Sequence, residues 1–275
     1  MKGIHFEGLR VLGKPEDFAH YYYQNGADEL IYMDAVASLY GRNSLLSVIE
    51  KTSRDIFIPL TVGGGLRTLD DIRTVLRAGA DKVSINTAAI RRPEFISEAA
   101  KAFGSSTIVV SIEAIQKSDG HYEAYIDYGR ESTGVDAVEW ARRVEELGAG
   151  ELLITSIDRE GTGKGFDLEL TRKIADSVSI PVIASGGAGK LSDLLNVITQ
   201  GKADAVSIAS FLHYDAVQHL ESRRDDFSEE GNTEFLKRKT AFSKVEAMSV
   251  PQIKEYLISC GVECRYPEKK SARDL

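Results

Sequence analysis

Residues 58–65, Ile-Pro-Leu-Thr-Val-Gly-Gly-Gly, return 122 residues later as Ile-Pro-Val-Ile-Ala-Ser-Gly-Gly at 180–187. Gly-Ala-Asp-Glu-Leu at 26–30 matches Gly-Ala-Gly-Glu-Leu at 148–152 at the same offset. After one inserted residue, Ala-Asp-Lys-Val-Ser-Ile at 80 matches Ala-Asp-Ala-Val-Ser-Ile at 203. A register kept over about 60 residues indicates an internal repeat, so the chain consists of two related halves.

Both halves alternate short β-branched apolar runs with amphipathic helical stretches, a pattern typical of βα units around a parallel sheet. The predicted strands are 29–34, 59–63, 82–86, 107–113, 151–157, 181–185 and 205–209. Two halves of four units predict an α/β fold, a (β/α)8 TIM-type barrel forming a single domain over residues 1–275. A doubly wound open sheet is the alternative, but it does not predict a twofold repeat.

The repeat also places one barrel strand outside the sequence. The partner of strand 107–113 falls before Met1, so we expect the first strand to be missing and seven barrel strands to be present. Residues 121–128 form a predicted hairpin with Asp119-Gly120 as the turn. A charged insertion covers about 214–248, and a solvated helical excursion is its simplest interpretation.

Composition excludes several function classes. The 275 residues carry 34 Lys and Arg against 42 Asp and Glu, a net charge of −8, which argues against a nucleic-acid-binding surface. No apolar run approaches the roughly 20 residues that span a bilayer, so we expect no membrane association and a cytoplasmic protein. Two cysteines supply at most half of a four-ligand metal site, and the five histidines show no ligand spacing. We therefore expect no metal and no cofactor.

Glycines follow two equivalent predicted strands, at the end of the barrel where ligands bind. Gly64-Gly65 and Gly186-Gly187 let backbone N–H groups approach a phosphate. The next strand in each half ends with further donor groups, Asn86-Thr87 and Ala209-Ser210. This duplication predicts two phosphate sites on opposite sides of the mouth, and hence a long bisphosphate ligand.

Carboxylates are the candidates for acid–base chemistry at the same end. Asp34, Glu113 and Asp158 each end or follow a predicted strand, although each could instead be a solvated charge or a cap. At the opposite end, three charged residues start strands beside apolar neighbours: Glu29, Lys82 and Glu151. From the residues alone, the second set is a structural layer of ion pairs.

Several strings closely resemble the cyclase subunits of imidazole glycerol phosphate synthase (HisF-like proteins). They are 61–65, 80–89, 148–151, 156–159 and 183–190, and the resemblance runs from Lys2 to about His213 and resumes near 250–256. It implies a barrel that forms a heterodimer with a glutaminase and receives ammonia from it. The implied reaction converts phosphoribulosyl-formimino aminoimidazole carboxamide ribotide to imidazole glycerol phosphate and aminoimidazole carboxamide ribotide, in histidine biosynthesis.

The resemblance also assigns roles to residues. One phosphate falls to Gly64, Gly65, Asn86 and Thr87, and the other to Gly161, Gly186, Gly187, Ala209 and Ser210. Glu29, Lys82 and Glu151 match the charged ring of the ammonia entrance, which changes our interpretation of that layer to a gate. The catalytic candidates are Glu113, Asp34 and Lys2.

This sequence departs from the family pattern at functional positions. The family aspartate of the first strand has no counterpart, that of the fifth strand is replaced by Glu113, and Glu160 stands where the family has Asp. The gate arginine of the first strand is also absent. We therefore expect altered activity, from a cyclase whose start lies upstream of Met1. The alternatives are a paralogue that delivers ammonia for surface-polysaccharide sugar amidation and a non-catalytic barrel that activates a glutaminase. A related barrel isomerase is disfavoured by the charged ring.

Overall fold

The computed structural model describes residues 2–4, 7–10, 12–34, 46–220 and 247–265. The strands are β1 Lys2–Ile4, β2 Glu7–Arg10, β3 Leu30–Met33, β4 Leu60–Gly63, β5 Lys82–Ile85, β6 Ile108–Gln116, β7 Tyr122–Ile126, β8 Glu131–Asp136, β9 Glu151–Ser156, β10 Val182–Ser185 and β11 Ala205–Ser207. The helices are α1 Pro15–Gln24, α2 Leu46–Asp55, α3 Leu69–Arg77, α4 Thr87–Arg91, α5 Glu94–Phe103, α6 Ala137–Glu146, α7 Leu168–Ala175, α8 Leu191–Thr199, α9 Ser210–His219 and α10 Val250–Ser259.

Seven parallel strands form the main sheet, in the order β3-β4-β5-β6-β9-β10-β11. This order follows the chain and helices connect successive strands, so the predicted (β/α)8-type barrel is confirmed. Within the described residues, β3 and β11 pair with one neighbour each and not with one another. The expectation of seven barrel strands therefore agrees with the described part of the chain.

Strand alternation separates an inner from an outer face. On β6, Ile108, Val110 and Ile112 are buried beneath the helices, and Val109 belongs to a separate inner cluster with Leu153 and Ile183. Helix α3 covers the outer face because its apolar residues recur at helical spacing, as the sequence predicts. A reciprocal capping box between Thr68 and Asp71 fixes where α3 begins.

A three-stranded antiparallel excursion extends from β6 at the carboxyl end of the sheet. β6 continues past Glu113 to Gln116, turns at Asp119-Gly120 and pairs with β7, as predicted, so that Glu113 faces Tyr125 in the ladder. The third strand, β8, returns along β7 and was not predicted. The hairpin tip between β7 and β8 thereby lies beside the end of the barrel strands.

The helical layer connects the two edges of the sheet. Tyr21 of α1 donates to Asp215 of α9 at 2.8 Å, and Tyr22 lies 2.6 Å from Nδ1 of His213. Below them, Lys254 of α10 is 5% exposed and donates to Asp28 at 2.7 Å. Helix α1 is thus held to α9, and α10 is held to the segment between α1 and β3, on the side where β3 and β11 do not pair.

Both ends of the predicted insertion belong to the packed body. Tyr214, Asp215 and Ala216 are buried residues of α9, and Met248 packs in the same core cluster as Phe211. Residues 221–246 lie outside the described part of the chain. Among the described helices, none has the length and apolar character needed to cross a membrane.

Candidate functional site

The structure brings the second predicted phosphate set into one pocket. Its lining includes all five predicted residues, Gly161, Gly186, Gly187, Ala209 and Ser210, together with Ser185, Ser207 and Glu160. Gly186 and Gly187 have φ values of +87° and +107°, and a Cβ added to Gly187 would lie 2.3 Å from the carbonyl oxygen of Gly165. Only glycine fits this backbone, which is how exposed N–H groups are presented to an anion.

The first predicted set lies at the ends of β4 and β5. Gly64 lines a small pocket with Asp34, and a Cβ on Gly64 would lie 2.4 Å from the backbone oxygen of Asp34. Gly65 also has a positive φ, of +70°. Because β4 and β5 are adjacent parallel strands, Asn86 and Thr87 follow at the neighbouring strand end.

Both side chains at the end of β5 contact the hairpin. Asn86 Nδ2 donates to the carbonyl of Tyr125 at 3.1 Å, and Thr87 Oγ1 accepts from the backbone N–H of Asp127 at 3.0 Å. Asn86 Oδ1 is buried without a hydrogen-bond partner. The Thr87 hydroxyl can still donate its own proton while it accepts from Asp127.

Glu113 lies between the two glycine sets, on the central strand of the sheet. It is 6% exposed, and its Oε2 is buried without a hydrogen-bond partner. Burial raises the pKa of Glu113 to about 7; a hydrogen bond from the Gly129 N–H opposes the rise, and the charges of Asp127 and Glu160 add to it. At neutral pH this carboxyl is therefore divided between its acidic and basic forms, as acid–base catalysis requires.

Two further residues lie near Glu113: Glu160, already noted from the sequence, and Tyr128. Burial, with the charges of Glu113 and Glu160, raises the pKa of Tyr128 to about 12. Glu160 also lines the second glycine pocket, where its Oε2 lies 2.9 Å from the position of a Cβ on Gly186. The sequence marks Glu160 by its place in the loop after β9, whereas nothing in the sequence places Tyr128 near Glu113.

The remaining carboxylate candidates have different surroundings. Asp34 is half-buried, follows β3 and donates its backbone N–H to Gly63 at 2.9 Å, which places it in the first glycine pocket. Asp158 accepts from the backbone N–H of Gln116 at 2.9 Å, so it caps the hairpin strand. Lys2 lies in β1, and its side chain is outside the described residues.

At the opposite end of the barrel, the three charged residues form a bonded group. Lys82 Nζ lies 2.6 Å from Glu151 Oε1 and 3.1 Å from Glu29 Oε2. Burial lowers the pKa of Lys82, but the hydrogen bonds and charges of Glu151 and Glu29 outweigh it, and the net pKa is raised. Lys82 therefore stays cationic between two carboxylates, which agrees with an ion-pair layer at the base of the barrel.

Small polar side chains separate this base from Glu113. They share the inner face by strand alternation and are all buried: Thr61, Ser84, Ser111 and Thr155. The hydroxyl of Ser84 has no hydrogen-bond partner. Within the described residues, no group of three or more His, Cys, Asp or Glu side chains could hold a metal ion.

Comparisons with known proteins show which family the chain resembles over most of its length. A family model described as "Histidine biosynthesis protein" matches residues 1–218. The chain is 58% identical over 193 residues to the "Imidazole glycerol phosphate synthase subunit HisF" of Legionella pneumophila, covering 70% of this chain and 91% of that relative. It is 49% identical over 217 residues to the same subunit of Alkaliphilus metalliredigens (strain QYMF), covering 79% and 86%.

Proposed function

The chain belongs to the histidine biosynthesis protein family, and from that premise we infer that it is the cyclase subunit of an imidazole glycerol phosphate synthase. It is a lyase-type enzyme of histidine biosynthesis. Its reaction uses ammonia to convert phosphoribulosyl-formimino aminoimidazole carboxamide ribotide to imidazole glycerol phosphate and aminoimidazole carboxamide ribotide. The supply of that ammonia by a glutaminase subunit in a heterodimer is part of the proposal.

One observation carries the assignment of the site. Two glycine-rich strand ends lie on either side of β6, and Glu113 stands on β6 between them with a raised pKa. A ligand with a phosphate at each end would place its middle near Glu113. Gly64, Gly65, Asn86 and Thr87 would then hold one phosphate, and the second pocket the other.

Glu113 is the group we propose for proton transfer. Cleavage and ring closure both move protons, and a carboxyl with a pKa of about 7 can give and take them at neutral pH. Asp34 lies beside the first glycine pocket, where it can orient the adjoining part of the substrate. Lys2 stays a proposed catalytic residue on the resemblance alone.

Ammonia would enter through the base of the barrel. Glu29, Lys82 and Glu151 form the bonded group there, and the buried hydroxyls above them offer hydrogen-bond partners along the interior. A neutral ammonia molecule is small and can exchange such bonds with Ser84, whose hydroxyl has no protein partner. We propose that Lys82 separates from one carboxylate to admit it.

The purified chain tests the central proposal directly. We expect turnover of the bisphosphate in ammonium salts at alkaline pH without any glutaminase, followed by the appearance of both products. If no turnover occurs but the chain still stimulates a glutaminase, it is a non-catalytic activating barrel. Turnover of a different acceptor in place of the bisphosphate would instead identify a sugar-amidating paralogue.

Lys82→Met tests the ammonia gate. We expect glutamine-dependent synthesis to fall about tenfold, an effect of about 1.4 kcal/mol, because Glu29 and Glu151 lose the cation that positions them. Ammonium-dependent synthesis should change less, since it does not need delivery through the base. Lys173→Met is the matched control, because Lys173 pairs with Glu169 at 2.7 Å on the exposed face of α7. Equal loss of both activities would contradict a gate.

A further inference from the structure

The short helix α4 contacts the hairpin tip at both of its ends. Its first residue, Thr87, accepts from the Asp127 N–H at 3.0 Å. Its last residue, Arg91, donates to Asp127 Oδ2 at 2.7 Å and to Glu131 Oε2 at 3.1 Å. Asp127 is therefore held through its backbone by Thr87, one of the proposed phosphate-binding residues, and through its side chain by Arg91, one helical turn further on.

The segment that these contacts hold has an unusual backbone. Asp127, Tyr128 and Gly129 have φ values of +50°, +63° and +71°. Two consecutive non-glycine residues in the left-handed region are strained, so surrounding contacts must maintain the turn. The same turn presents the Gly129 N–H to the Glu113 carboxylate.

The charges around Glu113 come from few elements. The hairpin tip supplies Asp127 and Tyr128, the loop after β9 supplies Glu160, and Arg130 acts on Tyr128. The adjacent strands β5 and β9 carry Lys82 and Glu151, but at the opposite end of the barrel. Asp127 is paired with Arg91, which lies 2.7 Å from its carboxylate.

We propose that Arg91 is a positioning residue for Glu113, acting through Asp127 and the 127–129 turn that it holds against α4. The side chain of Arg91 is 57% exposed, and Arg91 lines neither of the two pockets. Arg91 acts in two ways: it holds the turn that presents the Gly129 N–H to the Glu113 carboxylate, and it pairs with Asp127, whose charge acts on Glu113. The proposal rests on the proposed function only in giving Glu113 a catalytic purpose.

Titration of Glu113 in the full chain tests this inference without any turnover assay. Carbon-13 NMR of glutamate-labelled protein would follow the carboxyl resonance, assigned by its loss in Glu113→Gln. We expect Arg91→Met to raise the pKa of Glu113 by about one pH unit, because the turn loosens and the charge of Asp127 is no longer paired. Asp127→Asn should shift it in the opposite direction, since a negative charge is removed while the backbone contact to Thr87 remains possible.

Two further variants separate the proposal from simpler explanations. Arg92→Met is the matched control, because Arg92 pairs with Glu98 at 2.7 Å away from the hairpin, and it should leave the titration unchanged. When Arg91→Met is combined with Asp127→Asn, it should raise the pKa of Glu113 by less than half as much as it does alone. An undiminished effect in that combination, or equal titrations of the Arg91 and Arg92 variants, would overturn the proposal. A chain without cyclase activity would still give this answer.

Discussion

Glu113→Gln lowers ammonium-dependent turnover of the bisphosphate by about 10²- to 10⁴-fold, the range expected when a positioned acid–base group is removed. Glutamine has nearly the same shape and can still accept the Gly129 N–H, so the change isolates proton transfer from packing. The wild-type rate should also show a limb near pH 7, the pKa of Glu113, and the variant should lack it. A variant that retains the rate and the limb would exclude Glu113 from the chemistry.

The same substitution should lower activity but raise the stability of the fold above neutral pH. The pKa of Glu113 is about 7 in the folded protein, against 4.5 for the ordinary group. The contribution of protonated Glu113 to the free energy of unfolding is therefore fully present below pH 4.5 and is lost as the pH rises through 7. At pH 8 we expect Glu113→Gln to increase the free energy of unfolding, by at most about 3 kcal/mol. The gain should vanish near pH 4. Urea denaturation at both pH values measures it.

Glu123→Gln is the matched control for that comparison. Glu123 is also a buried carboxylate next to the hairpin, but Lys117, Ser132 and the Gly134 N–H lower its pKa to about 2. Its ionised form is therefore the stabilising one, present above the ordinary pKa and lost as the pH falls toward 2. At pH 8 the two glutamine variants should change stability in opposite directions. A loss of stability in both would indicate that the pKa of Glu113 is not raised.

Gly187→Ala has the second large expected effect, on binding. The added methyl group would lie 2.3 Å from the Gly165 carbonyl, at a φ of +107° that alanine rarely adopts. The backbone must shift, and the N–H groups of the second pocket shift with it. We expect the affinity for the bisphosphate, measured by calorimetry, to fall by about one to two orders of magnitude, corresponding to roughly 1.4 to 2.7 kcal/mol.

Gly104→Ala controls for backbone strain alone. Gly104 has a similar φ of +91°, but no atom lies within 4 Å of an added Cβ, and it is remote from the pocket. Both variants should lose some thermal stability, and only Gly187→Ala should lose affinity. If binding is unchanged in Gly187→Ala, the second pocket does not hold a phosphate.

The sequence predicts the barrel well because its signals are local and repeated. Strand starts and ends could be placed because glycines and Ile-Pro pairs recur at equivalent positions, and parallel strands bring their ends to one edge. The same regularity explains why five residues that are distant in the chain could be assigned to one pocket. Glu29, Lys82 and Glu151 could be grouped for the same reason, since each starts a strand.

The surroundings of Glu113 could not be predicted in this way. β8 begins with a polar, exposed stretch that lacks an apolar alternation, and its pairing with β7 depends on the turn that precedes it. Asp127 and Tyr128 have positive φ values although neither is glycine, the residue type that would mark such a turn in a sequence. The contacts of Arg91 and Glu160 with this region arise only after three separate loops have been folded together.

During synthesis, the contact between α1 and α9 can form only after the ribosome has made both helices. Tyr21 and its partner Asp215 are separated by 194 residues. At about 5 to 20 residues per second, the ribosome needs roughly 10 to 40 s to make the second helix after the first. Throughout that interval Phe18 and Tyr22 lack His213, the residue of α9 that they contact. Helix α1 can pack on α2 soon after both are made, but its packing is completed only once α9 is present.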